Sequence, residues 1–209
     1  RNSIIAAIED GAELLILDDG FQDSSIRKNL SIVTVDAKLA FGNQKVIPAG
    51  PLREAKAQGL DRADILLVIG DKAHRESFME DIETPKGLAI FFGEMSVLKT
   101  GIDLNRGKFV AVAGIGHPEK FFDTIEKCGG HIVKRVALPD HANFSYSLLQ
   151  RLKRMGSQSN AQLITTEKDS VRIPESERQN FISLPVRLNL LNKENLMKLI
   201  QFKIGQSFK

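Results

Sequence analysis

Apolar residues first recur at helical spacing, at Ile4, Ile5 and Ile8, and the pattern stops at Gly11. This predicts a short amphipathic helix. The unbroken apolar run Leu14 to Leu17 follows and ends in Asp18, Asp19 and Gly20, which predicts a buried strand running into a turn. Ser31 to Asp36 predicts a second strand. Between Phe41 and Glu54, the residues Gly42, Pro48, Gly50 and Pro51 forbid regular structure and predict a long ordered loop. Ala55 to Arg62 then reads as helix, Ile65 to Ile69 as a continuous apolar strand, and Ala73 to Asp81 as a short polar helix. Apolar strands alternating with helices predict a parallel sheet covered on both faces.

The pattern breaks around Thr84 to Lys86, and Leu88 to Leu98 reads as one or two extended segments closed by Thr100 and Gly101. A second series follows: strand Phe109 to Ala113, helix Pro118 to Cys128, strand Ile132 to Leu138, helix Tyr146 to Met155 and strand Leu163 to Thr166. Phe181 to Leu190 reads as one further strand and Lys193 to Phe202 as a last helix, with Ser157 to Asn160 a polar loop. The expected organisation is therefore an α/β core over 1–85, extended linker strands over 86–106, and a smaller Rossmann-like α/β domain over 107–209.

Composition narrows the class. Hydrophobic residues make up 42% and charged residues 26% of the 209, as in soluble globular proteins. Lys plus Arg exceed Asp plus Glu by 29 to 26, a net +3 spread along the chain, which does not argue for nucleic acid. The single Cys128 cannot form an internal disulfide and no apolar leader opens the chain, so a reducing cytosol is the expected setting. Every apolar run is far shorter than the roughly 18 to 20 residues of a membrane helix. The chain opens at Arg1 without Met, directly inside a helical pattern, and is expected to be a piece of something longer.

Five strings carry candidate chemistry. Leu17-Asp18-Asp19-Gly20 places hard oxygen donors at the carboxyl end of an expected parallel strand, where phosphates and Mg²⁺ sit in nucleotide-binding α/β folds. Asp19, on the loop side, is the favoured Mg²⁺ ligand with Asp18 in support; the plain alternative is an Asp-Asp-Gly turn. The phosphate cradle Gly-x-x-x-x-Gly-Lys-Ser/Thr does not occur, and Gly107-Lys108 precedes a strand instead of following one. Gly42 to Glu54, with Pro48, Gly50 and Pro51 inside it, is a stiff loop that ends in Arg53, an arginine suited to phosphate, and Glu54, a carboxylate suited to a metal. An Arg-Glu pair at a helix start is its ordinary reading.

Gly114-Ile115-Gly116-His117-Pro118 is half of a dinucleotide fingerprint, with Glu119 where the third glycine belongs; it equally suits a tight turn with Pro118 opening a helix. Asp140-His141 places a titratable imidazole past a strand end, fit to act as or support a general base, while Asn143 or Ser145 suits the cap of the next helix. Thr165-Thr166-Glu167-Lys168-Asp169 runs a strand into hydroxyls and charges, where Lys168 could meet a phosphate; its ordinary reading is a solvated strand end. His74, His117 and His131 have no acidic or cysteine partner at metal-ligand spacing, so zinc is not expected.

Taken in order, Leu17-Asp18-Asp19-Gly20-Phe21-Gln22, Pro48 to Glu54, Arg62-Ala63-Asp64, Ala113 to Pro118 with Phe121-Phe122, Pro139-Asp140-His141 and Thr166-Glu167-Lys168-Asp169 resemble the tetraacyldisaccharide 4'-kinase family. The resemblance covers nearly the whole chain. It implies the carboxyl-terminal part of a P-loop NTPase-like parallel-sheet core followed by the smaller α/β domain. It also implies transfer of the γ-phosphate of ATP, with Mg²⁺, to the 4'-hydroxyl of an acylated glucosamine disaccharide 1-phosphate, giving lipid IVA on the way to lipid A.

By the same resemblance Asp18 and Asp19 are a Walker B pair, Asp19 and Glu54 hold Mg²⁺, Arg53 contacts phosphate or acceptor, and His141 belongs to the catalytic apparatus. In the family that histidine works with an aspartate upstream of the Walker B strand; neither it nor the P-loop residues occur here, so the chain alone is expected to be inactive. A monomer in peripheral contact with the cytoplasmic face of the bacterial inner membrane is implied. Asp23 stands where the family usually has His, and Ala142 where a second His is common. Two other readings remain beside this one: a dinucleotide-binding oxidoreductase built on Gly114-Ile115-Gly116, and a non-catalytic binding module.

Overall fold

The structure is a computed structural model that describes residues 2–98 and 101–206. Thr100, expected to help close an extended segment, lies outside the described residues. In chain order the first elements are α1 (Asn2–Glu9), β1 (Ile32–Asp36), α2 (Lys56–Arg62), β2 (Ile65–Ile69), α3 (Lys72–Asp81) and β3 (Ala89–Val97). A short 3₁₀ turn (Leu104–Arg106) leads to β4 (Lys108–Ala113), α4 (Pro118–Lys127), β5 (His131–Ala137) and α5 (Tyr146–Ser159). Then come β6 (Gln162–Thr166), α6 (Glu167–Ser170), α7 (Glu175–Arg178), β7 (Phe181–Leu184), β8 (Val186–Leu190) and α8 (Lys193–Gln206).

Two compact units result, Arg1–Met95 with Leu188–Lys209, and Ser96–Arg187. The first is built on a sheet of order β1-β2-β3-β8, in which β1, β2 and β3 run parallel. Its central strand β2 has neighbours on both edges, so its continuous apolar sequence is buried: Ile65, Leu66 and Val68 are inaccessible. Leu60 of α2 and Phe78 of α3 pack with Val35, Leu66 and Val68 to form its core.

The second unit is a fully parallel sheet of order β5-β4-β6-β7. Side chains alternate across β4, and the core divides accordingly. Phe109, Ala111 and Ala113 pack with Phe121, Phe122 and Ile125 of α4, whereas Val110 and Val112 pack with Leu149 and Leu152 of α5. Pro118 opens α4, and the Ser145 hydroxyl caps α5 by accepting from the Leu148 N–H, as the sequence suggested. Cys128, at the end of α4, packs half-buried against the first of these clusters. The expected α/β class is the one found.

Four expectations are corrected. Leu14 to Leu17 is not a strand: its backbone pairs with no strand among the described residues, and Ile16 is 88% exposed. An apolar run becomes a strand only where another strand completes its ladder. The Phe181 to Leu190 segment is two strands in different sheets, because Pro185 lacks the N–H a ladder needs. The partition at 86–106 and 107–209 also shifts. β3 belongs to the first sheet, and β8 pairs beside it, the Leu191 N–H donating to the Phe92 carbonyl, so that α8 returns to the first unit. There Lys203 reaches Asp64 at 2.8 Å. Finally, α5 continues to Ser159, through most of the expected polar loop, and ends at Asn160 in left-handed geometry.

Candidate functional site

The loop of residues 41–54 fixes the first group of candidate residues. Its turn closes through an isolated bridge between Val46 and Leu52, with the Asn43 side-chain amide donating to the Ala49 carbonyl at 2.8 Å. Gly50 makes this possible: a β-carbon there would lie 2.1 Å from the Asn43 Oδ1 and 2.3 Å from the Lys45 carbonyl oxygen. The loop delivers Arg53 and Glu54 to the start of α2, facing the turn after Leu17. Arg53 grips Asp19 with both guanidinium nitrogens, each at 2.8 Å, a two-pronged carboxylate contact. Hydrogen bonding to Asp19 first, and its charge second, hold the Arg53 guanidinium above its ordinary value.

Glu54 is gripped in turn by Arg62 and accepts from the Gln22 amide at 3.0 Å. The Arg62 bond is the main reason the Glu54 carboxyl sits below its usual range; partial burial opposes it and Gln22 assists. Arg62 stacks over the Phe21 ring, 4.8 Å from its centre. The string Asp19 to Gln22 and the string Arg53-Glu54 thus meet in space. Asp18 is exposed on the same turn, and its carboxylate enters no ion pair among the described residues.

A second group lies at the carboxyl ends of β4 and β6, in the second unit. Because β4 leads to β5 on one side and β6 lies on the other, this is where chain direction across the sheet reverses, the usual place for a site in an open parallel sheet. Asp169, wholly buried, accepts from the Gly114 N–H at 2.9 Å, from the Thr166 hydroxyl at 2.8 Å and from Arg172 at 3.1 Å. Arg172 also donates to the Gly114 carbonyl at 3.1 Å and reaches the His141 Nδ1 at 2.8 Å. The backbone N–H of His141 points to Asp140 Oδ1 at 3.0 Å and to the Gly114 carbonyl at 3.3 Å.

This arrangement corrects the dinucleotide reading. The Gly114 N–H that would face a pyrophosphate is occupied by the Asp169 carboxylate, and its carbonyl is bound by Arg172 and His141. Lys168 is exposed on α6, whose first turn Thr166 caps through the Asp169 N–H. Beside it Glu167 is held by Arg187, whose hydrogen bond draws the Glu167 carboxyl below its ordinary value. Asp169 and Arg172 were missed as functional candidates. The signal was present: Thr-x-x-Asp is a helix-capping spacing, and Arg172 follows Asp169 by one helical turn. His74 does pair with Asp71, at 2.6 Å, as a cap contact of α3.

Two candidate residues share a backbone signature. Asp19 (φ 55°) and His141 (φ 59°) both sit in the left-handed region, which β-carbon-bearing residues seldom occupy unless their surroundings impose it.

Comparison with known proteins agrees with these strings. Residues 1–205 match the family described as tetraacyldisaccharide-1-P 4'-kinase, LpxK. The chain is 46% identical over 185 residues to a tetraacyldisaccharide 4'-kinase of Jannaschia sp. (strain CCS1), covering 88% of this chain and 56% of that protein. Against the protein of the same name from Rhodospirillum centenum it is 38% identical over 204 residues, covering 93% and 57%. The chain thus spans about half the length of the curated relatives it matches. Its fold matches a crystal structure described as the "apo" form of LpxK from Aquifex aeolicus in complex with ATP, with TM-score 0.68, 24% identity, and coverage of 96% of this chain and 61% of that one. On the match over residues 1–205, the chain belongs to the tetraacyldisaccharide-1-P 4'-kinase family.

Proposed function

We propose that this chain forms part of an ATP- and Mg²⁺-dependent kinase that phosphorylates the 4'-hydroxyl of a tetraacyldisaccharide 1-phosphate, giving lipid IVA in lipid A biosynthesis. Within the family match, one observation carries the reading: Asp19 and Glu54 are each held by an arginine at an open loop edge. Phosphoryl transfer depends on positioning and charge neutralisation more than on covalent help, and this group holds both signs of charge. The Arg53–Asp19 pair is solvent-exposed, so an incoming phosphate oxygen can exchange with Asp19 for Arg53 at little loss.

The donor chemistry fits Mg²⁺. Carboxylate oxygens are hard ligands, and Asp19 with Glu54, supported by Asp18, would hold the ion. Among the described residues no three acidic, His or Cys side chains are close enough to hold a metal on their own. An ion held there would be completed by phosphates and water. When bound, Mg²⁺ would neutralise charge on the transferring phosphate. In the first unit Arg53, released from Asp19, binds phosphate and Arg62 keeps Glu54 ionised; in the second unit, taken by itself, Lys168 is the cation offered to phosphate and His141 the residue offered to catalysis.

No phosphate-cradling Gly-x-x-x-x-Gly-Lys-Ser/Thr string occurs in the 209 residues, which supports the reading that the chain by itself is inactive. Among the described residues no helix is long and apolar enough to cross a membrane, and a lipid substrate fits peripheral contact of a monomer with the cytoplasmic face of the inner membrane. The test is γ-phosphate transfer from ATP to tetraacyldisaccharide 1-phosphate. The expected result is activity when the chain is joined to the portion of the Jannaschia kinase it does not span, and none from the 209 residues alone. A folded, joined protein that binds ATP and transfers nothing would overturn the kinase reading in favour of a binding module.

A further inference from the structure

A guanidinium has only N–H groups to offer and is never deprotonated in proteins. Arg172 Nη2 lies 2.8 Å from His141 Nδ1, a full hydrogen-bond distance. With the donor on Arg172 by necessity, Nδ1 must bring its lone pair; a hydrogen there would point at a hydrogen. This contact fits a ring whose proton is on Nε2. Arg172 is itself held: its Nη1 donates to the Gly114 carbonyl and to Asp169 Oδ1, both at 3.1 Å. Asp169 has no accessible surface, and the Arg172 side chain is 21% exposed. The His141 side chain, by contrast, is 72% exposed, and its Nε2 is 3.8 Å from the nearest carboxylate oxygen, on Asp140, beyond hydrogen-bond reach.

We propose that Arg172 is a positioning residue that locks His141 as the Nε2–H tautomer, so that the imidazole presents an N–H donor, and not a proton acceptor, to an oxygen approaching from solvent. Two features of the backbone support a fixed ring. His141 is held at φ 59°, and its own N–H is tied to Asp140 Oδ1 and the Gly114 carbonyl. Gly114 thus joins the His141 backbone, the Arg172 clamp and the buried carboxylate through one residue. A β-carbon at Gly114 would stand 3.1 Å from Asp169 Oδ1, tighter than ordinary contact. The tautomer follows from geometry alone. Its consequence, that His141 steers a phosphate or hydroxyl oxygen by hydrogen bonding, rests on the kinase reading.

The test begins with long-range ¹H–¹⁵N correlation of the histidine-labelled 209-residue chain. His141 is expected as a single species with Nδ1 unprotonated and Nε2 protonated. In Arg172→Lys the charge beside Asp169 is retained, but a single ammonium nitrogen cannot occupy both guanidinium positions, Nη1 at Asp169 and the Gly114 carbonyl and Nη2 at the ring. There, His141 is expected to relax to an averaged mixture of tautomers. A protonated Nδ1 in the parent chain overturns the proposal, as does a Lys variant whose His141 signals match the parent.

A second measurement uses the joined kinase described above. Arg172→Lys and His141→Ala are each expected to lower kcat about 10²-fold with KM for ATP unchanged, and the double variant is expected to be no worse than either. A purely structural role for Arg172 would instead be rescued by Lys, or its loss would multiply with that of His141. If the joined protein has no activity at all, the kinase reading fails, while the nitrogen signals still decide the tautomer.

Discussion

The two units each carry a carboxylate gripped by an arginine, and the two pairs differ in almost everything else. Asp19–Arg53 is a bare two-pronged contact with side chains 67% and 55% exposed. Asp169–Arg172 is anchored on a carboxylate with no exposure, which also holds a backbone N–H and a hydroxyl. In water, an exposed pair gains little over its hydrated partners and can be traded for another charge. A buried one is fixed, because breaking it strands a charge where water cannot reach. The same chemical pair is therefore an exchangeable contact in one unit and a frame in the other.

The sharpest way to break this comparison is Asp169→Ala. It leaves Arg172, the Gly114 N–H and the Thr166 hydroxyl without their shared acceptor, and should lower the stability of the second unit by about 3–5 kcal/mol in denaturant unfolding. A loss below ~1 kcal/mol would place Asp169 in the same class as Asp19. The converse change, Asp19→Asn in the joined kinase, should lower kcat by about 10²–10³ with no shift in the unfolding midpoint. Near-normal turnover would remove Asp19 from the site.

Gly50→Ala tests whether the loop is what delivers Arg53. The added methyl meets the Asn43 side chain and the Lys45 carbonyl, so about 1–3 kcal/mol of destabilisation is expected, with weakened ATP affinity in the joined kinase. Unchanged affinity would mean that Arg53 is placed by α2 alone. The smallest effect concerns pH. Arg62 lowers the folded-state value of the Glu54 carboxyl, so this pair's contribution is present above the ordinary carboxylate range and disappears as pH falls through the lowered folded value. Arg62→Met should shift the acid limb of the unfolding curve slightly upward in pH; a shift toward lower pH would contradict the pairing.

Local pattern made most of the fold legible. The period of Phe121, Phe122 and Ile125 marked the buried face of α4, and the apolar run at Ile65 marked a central strand, because each signal is decided within one element. Leu14 to Leu17 misled because a strand is a property of two segments, and sequence shows only one of them. The place of α8 was hidden for the same reason: nothing in Lys193 to Gln206 announces that β8 pairs with β3. In the site, adjacency was readable and contact was not. Asp19 and Arg53 stood out singly, yet their meeting across 34 positions depends on the folded loop. Arg172 escaped notice because only Asp169 lies near it in sequence, whereas Gly114 and His141 come from separate segments of the chain.

The most direct test of the exchange at Asp19 is arginine side-chain ¹⁵N–¹H spectroscopy of the joined kinase, with and without Mg²⁺ and ATP. The Arg53 guanidinium signals should move on saturation with nucleotide while those of Arg172 stay in place, as one pair trades its partner and the other keeps it. Arg53 signals that remain unchanged in a protein that is turning over would contradict the account.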